Sequence, residues 1–396
     1  MNKLVKIAIV SNTSWSIYNF RLGLIKFLRK RNFDVEVIAP RDRFSAKLVS
    51  EGIPYHNVQF NTYSYSPFHD ISTLFQLIKV YKKYKYDFVI HYTIKPNLYG
   101  TIAATLVRIP SICVTTGLGQ LFQGKRLWVE VIVKILYWLV GKLTRKIGFL
   151  NVENRDEFIR RKLIRKEKTF ILPGEGIDCR NYRNKSFADF VGESHTSFLF
   201  AGRILWEKGI SSIYEAAKVI KKSYPMTRFN LLGFIDPANP DGVPFEVIEK
   251  WQREGIIEYL GETEDVRPYL LETSCVLFPS TYGEGISRLL LEAACTGVPI
   301  ITTNQVGCRD VVEHGVTGYL GRPGSTTDLI NNIELFISQS ASERYKMGLN
   351  ARRKTSELFD SRLVNQKYLN LLNREIGDLI ETLDSDVEYE KYNQLS

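Results

Sequence analysis

CVLFPSTYGEGISRLLLEAACTGVPIITTN, residues 275–304, reads as strand, turn, helix and second strand in one short stretch. CVLFPS is an apolar run of strand length, TYGEG is punctuated by Gly283 and Gly285, and ISRLLLEAACTG repeats apolar residues at helical spacing. Two glutamates stand in it. On one helix, eight residues separate Glu284 from Glu292 by roughly 12 Å of rise and about 80° of rotation, too far to grip one small group. They therefore do different jobs, Glu284 on the loop and Glu292 about two turns into the helix. Gly283 and Gly285 let backbone approach a ligand, and the free N–H groups at Ile286 and Ser287 suit an anion. The unit suits a ligand that carries both phosphate and hydroxyls.

The same alternation extends in both directions. Strand candidates are 5–11, 33–40, 86–92, 111–116, 147–151 and 168–173, then 197–203, 228–234, 256–262, 275–280 and 298–304, with helical stretches between them. Alternation of this kind implies parallel sheets covered by helices on both faces. At 396 residues the chain exceeds what one core usually organises. The expectation is α/β, two doubly wound Rossmann-like domains facing a central cleft, with ligands at the carboxyl ends of the strands. The polar, Gly- and Asn-punctuated stretch 174–195 marks the boundary.

Charge is divided unevenly. Residues 1–170 carry 29 Lys and Arg against 11 Asp and Glu, so of the net +10 this half holds +18 and the remainder −8. A basic half wants an anionic partner. LWVEVIVKILYWLVGKL, residues 127–143, is rich in aromatic and aliphatic residues but carries Glu130, Lys134 and Lys142, too charged and short to span a bilayer. It reads either as a helix lying in a membrane interface with its lysines snorkelling, or as a core helix. Nucleic acid is not expected, because no reader motif is present. The D-x-D of Asp384 and Asp386 lies in an acidic tail and reads as solvated surface.

Five cysteines show no metal-type spacing, and MNKLVKIAIV gives way to SNTS without a signal-peptide pattern. A reducing, cytoplasmic compartment is the expectation. The first strand ends in SNTSWS, with no glycine where a dinucleotide-binding turn needs one, and the P-loop pattern is missing. Nicotinamide and ATP chemistry are therefore poorly supported. SFLFAGRILWEKGI instead delivers Arg203 and then Lys208 to the start of a helix, a fork and a point charge suited to a diphosphate.

FAGRILWEKG, followed by FPSTYGEGISRLLLEAACTGVPIITTNQVGCRDVVEHGVTGYL, resembles the donor half of the retaining glycosyltransferases of family 4, which have the GT-B fold. SWSIYNFRLGLIKFL, HYTIKPNLYGTIAA, TTGLGQLF and LLGFIDPANPD are similar to members that build bacterial surface polysaccharides on undecaprenyl diphosphate, such as α-N-acetylgalactosaminyltransferases. The resemblance implies a retaining hexosyltransferase for capsule or O-antigen biosynthesis. Its donor is a UDP-sugar, an N-acetylhexosamine, and its acceptor a lipid-diphosphate-linked saccharide. It implies that Glu284 holds donor-sugar hydroxyls, Glu292 the ribose hydroxyls, Arg203 and Lys208 the diphosphate, and Gly283, Gly285, Ile286 and Ser287 give backbone contacts. Arg203, Lys208 and Glu284 carry the catalysis. No metal or other cofactor is expected, since the cation pair does that electrostatic work.

The domains expected are 1–175 for the acceptor, 176–360 for the nucleotide-sugar, a crossover helix at 361–380 and an acidic tail at 381–396. Leu363, Tyr368, Leu371 and Leu372 are expected to tie the two halves together. One departure from the family concerns a histidine that many members place after the strand reading SICVTTGLG; here Thr115, Thr116 and Gly117 stand there. His91 and Lys95 are the polar substitutes, with His91 equally a packed strand-end residue. Acceptor candidates are Asn12, Ser14, Trp15 and Asn19, where Trp15 either stacks on a sugar or packs. The chain is expected to sit peripherally on the anionic inner face of the cytoplasmic membrane. The rival readings are a UDP-sugar 2-epimerase of the same fold and a non-catalytic nucleotide-sugar-binding protein.

Overall fold

The computed structural model describes residues 4–61, 67–117, 127–283 and 285–393. The chain forms two compact units. One takes the chain through Thr115, then Leu127–Gly176 and everything from Ser361; the other takes Ile177–Asp360.

The first unit is built on seven strands: β1 Val5–Val10, β2 Phe33–Ala39, β3 Tyr55–Asn57, β4 Phe88–Tyr92, β5 Ser111–Thr115, β6 Lys146–Phe149 and β7 Thr169–Ile171. Their order is β3-β2-β1-β4-β5-β6-β7, and every pairing is parallel. Strands covered on both faces need apolar residues at every position rather than alternate ones. VKIAIV meets that demand, with Ile7 to Val10 fully buried. Because β1 lies between β2 and β4, the chain reverses its winding there, at a topological switch point.

The second unit repeats the plan with β8 Ser197–Ala201, β9 Arg228–Leu232, β10 Glu258–Tyr259, β11 Cys275–Phe278, β12 Ile300–Thr303 and β13 Gly318–Gly321. The order β10-β9-β8-β11-β12-β13 puts its switch point between β8 and β11. Phe198 stacks on Phe229 and Phe200 on Phe278, so the sheet's centre is an aromatic core. The strands β3 and β13, YHN and GYLG, are edge strands too short to show a period, and the sequence pattern did not reveal them.

The last helix runs Ser361–Asn393, so the stretch expected as an acidic tail continues the helix through 393. It belongs to the first unit. Val364, Tyr368, Leu371 and Leu372 are buried, and the Tyr92 hydroxyl donates to that of Tyr368 at 2.8 Å. Leu363 is instead 46% exposed, because it lies one residue off the buried face formed by positions 364, 368, 371 and 372. Cys179 and Cys295 are joined in a disulfide, with Cα atoms 4.9 Å apart. A pairing across 116 residues leaves no spacing signal in the sequence. Cys113, Cys275 and Cys308 are buried thiols.

Candidate functional site

In the second unit the loops that leave β8 and β11 come together at the switch point. After β8 the chain passes Gly202 and Arg203, makes a single turn over Trp206–Lys208 and enters the helix Ile210–Ser223 through Gly209. Gly209 has φ +79°, and a Cβ there would lie 2.2 Å from the Pro279 carbonyl oxygen, so glycine alone allows the two loops to touch. Thr281 completes the seam, its N–H and hydroxyl both donating to the Glu207 carbonyl, at 2.9 and 3.0 Å.

Lys208 is buried, its ammonium 4.7 Å from the centre of the Tyr282 ring and 5.2 Å from that of Phe278. Two aromatic faces hold the cation on the floor of the seam. Arg203 is exposed and makes no hydrogen bond or ion pair among the described residues. One cation is thus fixed and the other is available to a ligand. The two helices that start here, at Ile210 and Arg288, have no side-chain hydrogen bond from the residue that caps them. A helix start of this kind leaves its first N–H groups to acceptors other than a capping side chain, an anion among them. Gly283, Gly285, Ile286 and Ser287 form the approach to the second of these helices, with Gly285 and Ser287 buried. Glu284 lies outside the described residues.

Glu292 is the fifth residue of the helix Arg288–Thr296, which begins two residues later than the sequence pattern suggests. Its Oε1 accepts from the Tyr182 hydroxyl at 2.9 Å and from Arg288 Nε at 3.0 Å, while Arg288 Nη2 reaches the Tyr182 oxygen at 3.3 Å. Burial, followed by the nearby Glu292 carboxylate, pushes the Tyr182 phenol up to about 12, so it stays a donor at neutral pH. The Arg288 pairing is readable in sequence as a helix i, i+4 pair. Tyr182 leaves no such signal. It falls in the polar stretch read as a domain boundary, and only the fold brings it to Glu292. Among the described residues no group of three or more His, Cys, Asp or Glu side chains could hold a metal ion.

In the first unit the candidates scatter. Thr13 caps the helix Ser14–Arg29 with its own side chain, and Ser14 is buried with its hydroxyl donating to the Pro40 carbonyl at 2.7 Å. The Ser14 hydroxyl is thus used inside the fold. Trp15 is 44% exposed with its ring edge-on to Phe20, and Asn19 donates to the Trp15 carbonyl. Asn12 is half-buried in the preceding loop. Lys95 pairs with Asp70 at 2.6 Å.

His91 takes the packed one of its two readings. It is fully buried, with Nε2 2.9 Å from the Tyr81 hydroxyl and the ring packed on Gly100, where a Cβ would lie 2.3 Å from it. Burial drives its pKa down to about 3. It is a neutral core residue, out of reach of a ligand. The strain in this region lies just beyond it. Thr93, a β-branched residue, holds φ +70°. Nearby the Asn97 Oδ1, Thr115 Oγ1 and Tyr137 hydroxyl are buried and, among the described residues, meet no partner within ordinary hydrogen-bond geometry.

The helix Leu127–Leu143 has a buried face and an exposed one. Tyr137 and Val140 are fully buried, Tyr137 against Phe158 at 5.0 Å. Val131, Ile135 and Trp138 are each about half exposed, and Lys142 lies 3.5 Å over the Trp138 ring. Among the described residues no helix is long and apolar enough to cross a membrane.

Two family models match the chain: "Glycosyl transferases group 1" over residues 183–354 and "Glycosyl transferase 4-like" over residues 6–144. The N,N'-diacetylbacillosaminyl-diphospho-undecaprenol alpha-1,3-N-acetylgalactosaminyltransferase of Campylobacter jejuni is 29% identical over 95% of this chain and 100% of its own. A UDP-Gal:alpha-D-GlcNAc-diphosphoundecaprenol alpha-1,3-galactosyltransferase of Escherichia coli is 26% identical over 80% of this chain and 82% of its own. Among solved structures, Anabaena HepE in complex with UDP-glucose superposes with TM-score 0.76 at 20% identity, covering 93% of this chain and 99% of that one. That likeness carries the two-domain GT-B fold.

Proposed function

This chain belongs to the glycosyl transferases, and from that premise we propose that it moves a sugar from a UDP-sugar to an undecaprenyl-diphosphate-linked saccharide. The observation that carries the reading is the end-to-end match with a transferase whose acceptor is a saccharide on diphospho-undecaprenol, with both chains covered almost completely. The donor sugar in this reading is an N-acetylhexosamine. The product belongs to a surface polysaccharide such as capsule or O-antigen.

The second unit holds the donor. Lys208 and Arg203 neutralise the diphosphate together with the N–H groups at the starts of the helices at Ile210 and Arg288, and Glu292 accepts the ribose hydroxyls. Glu284 takes hydroxyls of the sugar. Lys208, held between the Tyr282 and Phe278 rings, is set before the reaction near where charge develops, which is where electrostatics lower a barrier. The bond from anomeric carbon to phosphate oxygen breaks as the acceptor oxygen bonds the same face of that carbon. The acceptor's proton passes to the departing phosphate oxygen, and the configuration is retained. No covalent glycosyl-enzyme forms, so intact mass shows no adduct during turnover. The leaving group is carried by the two cations without a divalent metal, and EDTA leaves the rate unchanged.

The first unit takes the acceptor, and the chain sits peripherally on the inner face of the cytoplasmic membrane. The outer face of the helix Leu127–Leu143 supports this, since Val131, Ile135 and Trp138 enter the headgroup layer while basic side chains of the +18 half meet anionic lipid.

The test is a panel of UDP-, GDP- and dTDP-sugars offered with N-acetylglucosaminyl diphosphate on a short-chain polyprenol, the product read by mass. One UDP-sugar is expected to give a lipid-linked disaccharide. Donor epimerised without acceptor gain would favour the 2-epimerase, and tight UDP binding without turnover would favour a binding protein.

A further inference from the structure

The two contacts on Glu292 fall on the same oxygen. Tyr182 and Arg288 both bond Oε1, and among the described residues nothing bonds Oε2. A carboxylate on a helix ordinarily turns about its last torsion, so two donors on one oxygen fix which lone pairs point away.

The platform under Tyr182 is itself anchored to the helix that carries Glu292. Tyr182 follows the short turn Cys179–Asn181, whose first cysteine is bonded to Cys295, three residues beyond Glu292 on the same helix. Arg352 donates to the carbonyls of both Tyr182 and Cys179, at 3.1 and 3.0 Å. Held through its carbonyl by Arg352 and through its hydroxyl by Glu292 and Arg288, Tyr182 has little freedom to follow the carboxylate if the carboxylate moves.

We infer that Tyr182 and Arg288 are positioning residues that pin Oε1 of Glu292 so that Oε2 faces, and accepts from, the vicinal hydroxyls of a bound nucleoside diphosphate. The inference rests on the reading of Glu292 as the ribose acceptor and adds the residues that give it direction. A carboxylate acceptor holds a hydroxyl about twice as strongly as a neutral one. Neither residue touches the reacting atoms.

The experiment is calorimetric binding of uridine 5'-diphosphate and of 2',3'-dideoxyuridine 5'-diphosphate to the wild-type chain, Tyr182→Phe, Arg288→Gln and Glu292→Ala. The wild type is expected to prefer UDP by about tenfold or more, the size of a charge-assisted hydrogen bond. Glu292→Ala abolishes that preference. Tyr182→Phe and Arg288→Gln each reduce it by about threefold while the dideoxy nucleotide binds as before, a split that a purely structural role does not produce. An equal loss for both nucleotides, or an undiminished preference in both variants, overturns the inference while Glu292→Ala still reports the ribose contact. A wild type that does not distinguish the two nucleotides overturns the ribose reading itself, and the inference with it.

Discussion

The two units share a winding but differ in what their switch points leave open. At the first, between β1 and β4, the hydroxyls that follow β1 bond inside the fold: Thr13 caps its helix, Ser14 bonds Pro40 and Ser11 pairs with Ser16 at 2.8 Å, while His91 lies buried against Tyr81. At the second, between β8 and β11, two helices begin without a side-chain cap, Arg203 is exposed, and Lys208 is held under the Tyr282 ring. Topology alone does not make a site. A parallel sheet supplies the place, and unsatisfied donors and cations of one sign supply the ligand preference.

The strongest way to break this contrast is to remove a polar group from each switch point. Lys208→Ala is expected to lower kcat for transfer by about a hundredfold or more, the scale of losing one preorganised charge at a leaving group. His91→Gln is expected to leave kcat and KM within about twofold, since the amide keeps a bond to Tyr81. Steady-state kinetics with a saturating acceptor checks both. A large kinetic loss in His91→Gln would show that the first switch point takes part in the chemistry after all.

The next effect concerns what the first unit offers in place of a charged switch point. Its exposed apolar face at Val131, Ile135 and Trp138 is expected to hold the chain on anionic vesicles. Changing all three to serine should cut the fraction that co-sediments with phosphatidylglycerol vesicles by about tenfold, while kcat on a water-soluble acceptor stays the same. Equal sedimentation of both proteins would return this helix to a purely packing role.

A further effect is one of stability, and its sign follows from burial. His91 has a folded pKa near 3, against about 6.5 for an unfolded histidine. Above pH 6.5 both states are neutral and the full stability is present. As pH falls from there toward 3 only the unfolded chain takes the proton, so stability drops by up to about 1.4 kcal/mol per pH unit from this group. Urea unfolding between pH 7 and 4 should show that slope, and it should be absent in His91→Gln. A slope that persists in the variant would assign the acid sensitivity to other groups.

The sequence carried the fold far because covered parallel strands must be apolar throughout, and VKIAIV, FVIHY, SFLFA and CVLF declare themselves that way. The edge strands β3 and β13 did not, nor did the disulfide. For the site, legibility followed sequence distance. Lys208, Arg288 and the Gly283–Ser287 loop lie on short contiguous motifs, whereas Tyr182 meets Glu292 across 110 residues and carries no local mark. His91 was ambiguous because a strand-end histidine looks the same in sequence whether it faces a ligand or a core tyrosine. Burial decided it.

The central claim is retaining transfer from a UDP-sugar to a lipid-diphosphate saccharide, and proton NMR of the anomeric centre in the purified product tests it most directly. The account predicts one added sugar whose anomeric configuration is that of the donor. A product of inverted configuration, or an unchanged acceptor beside an epimerised donor, would contradict it.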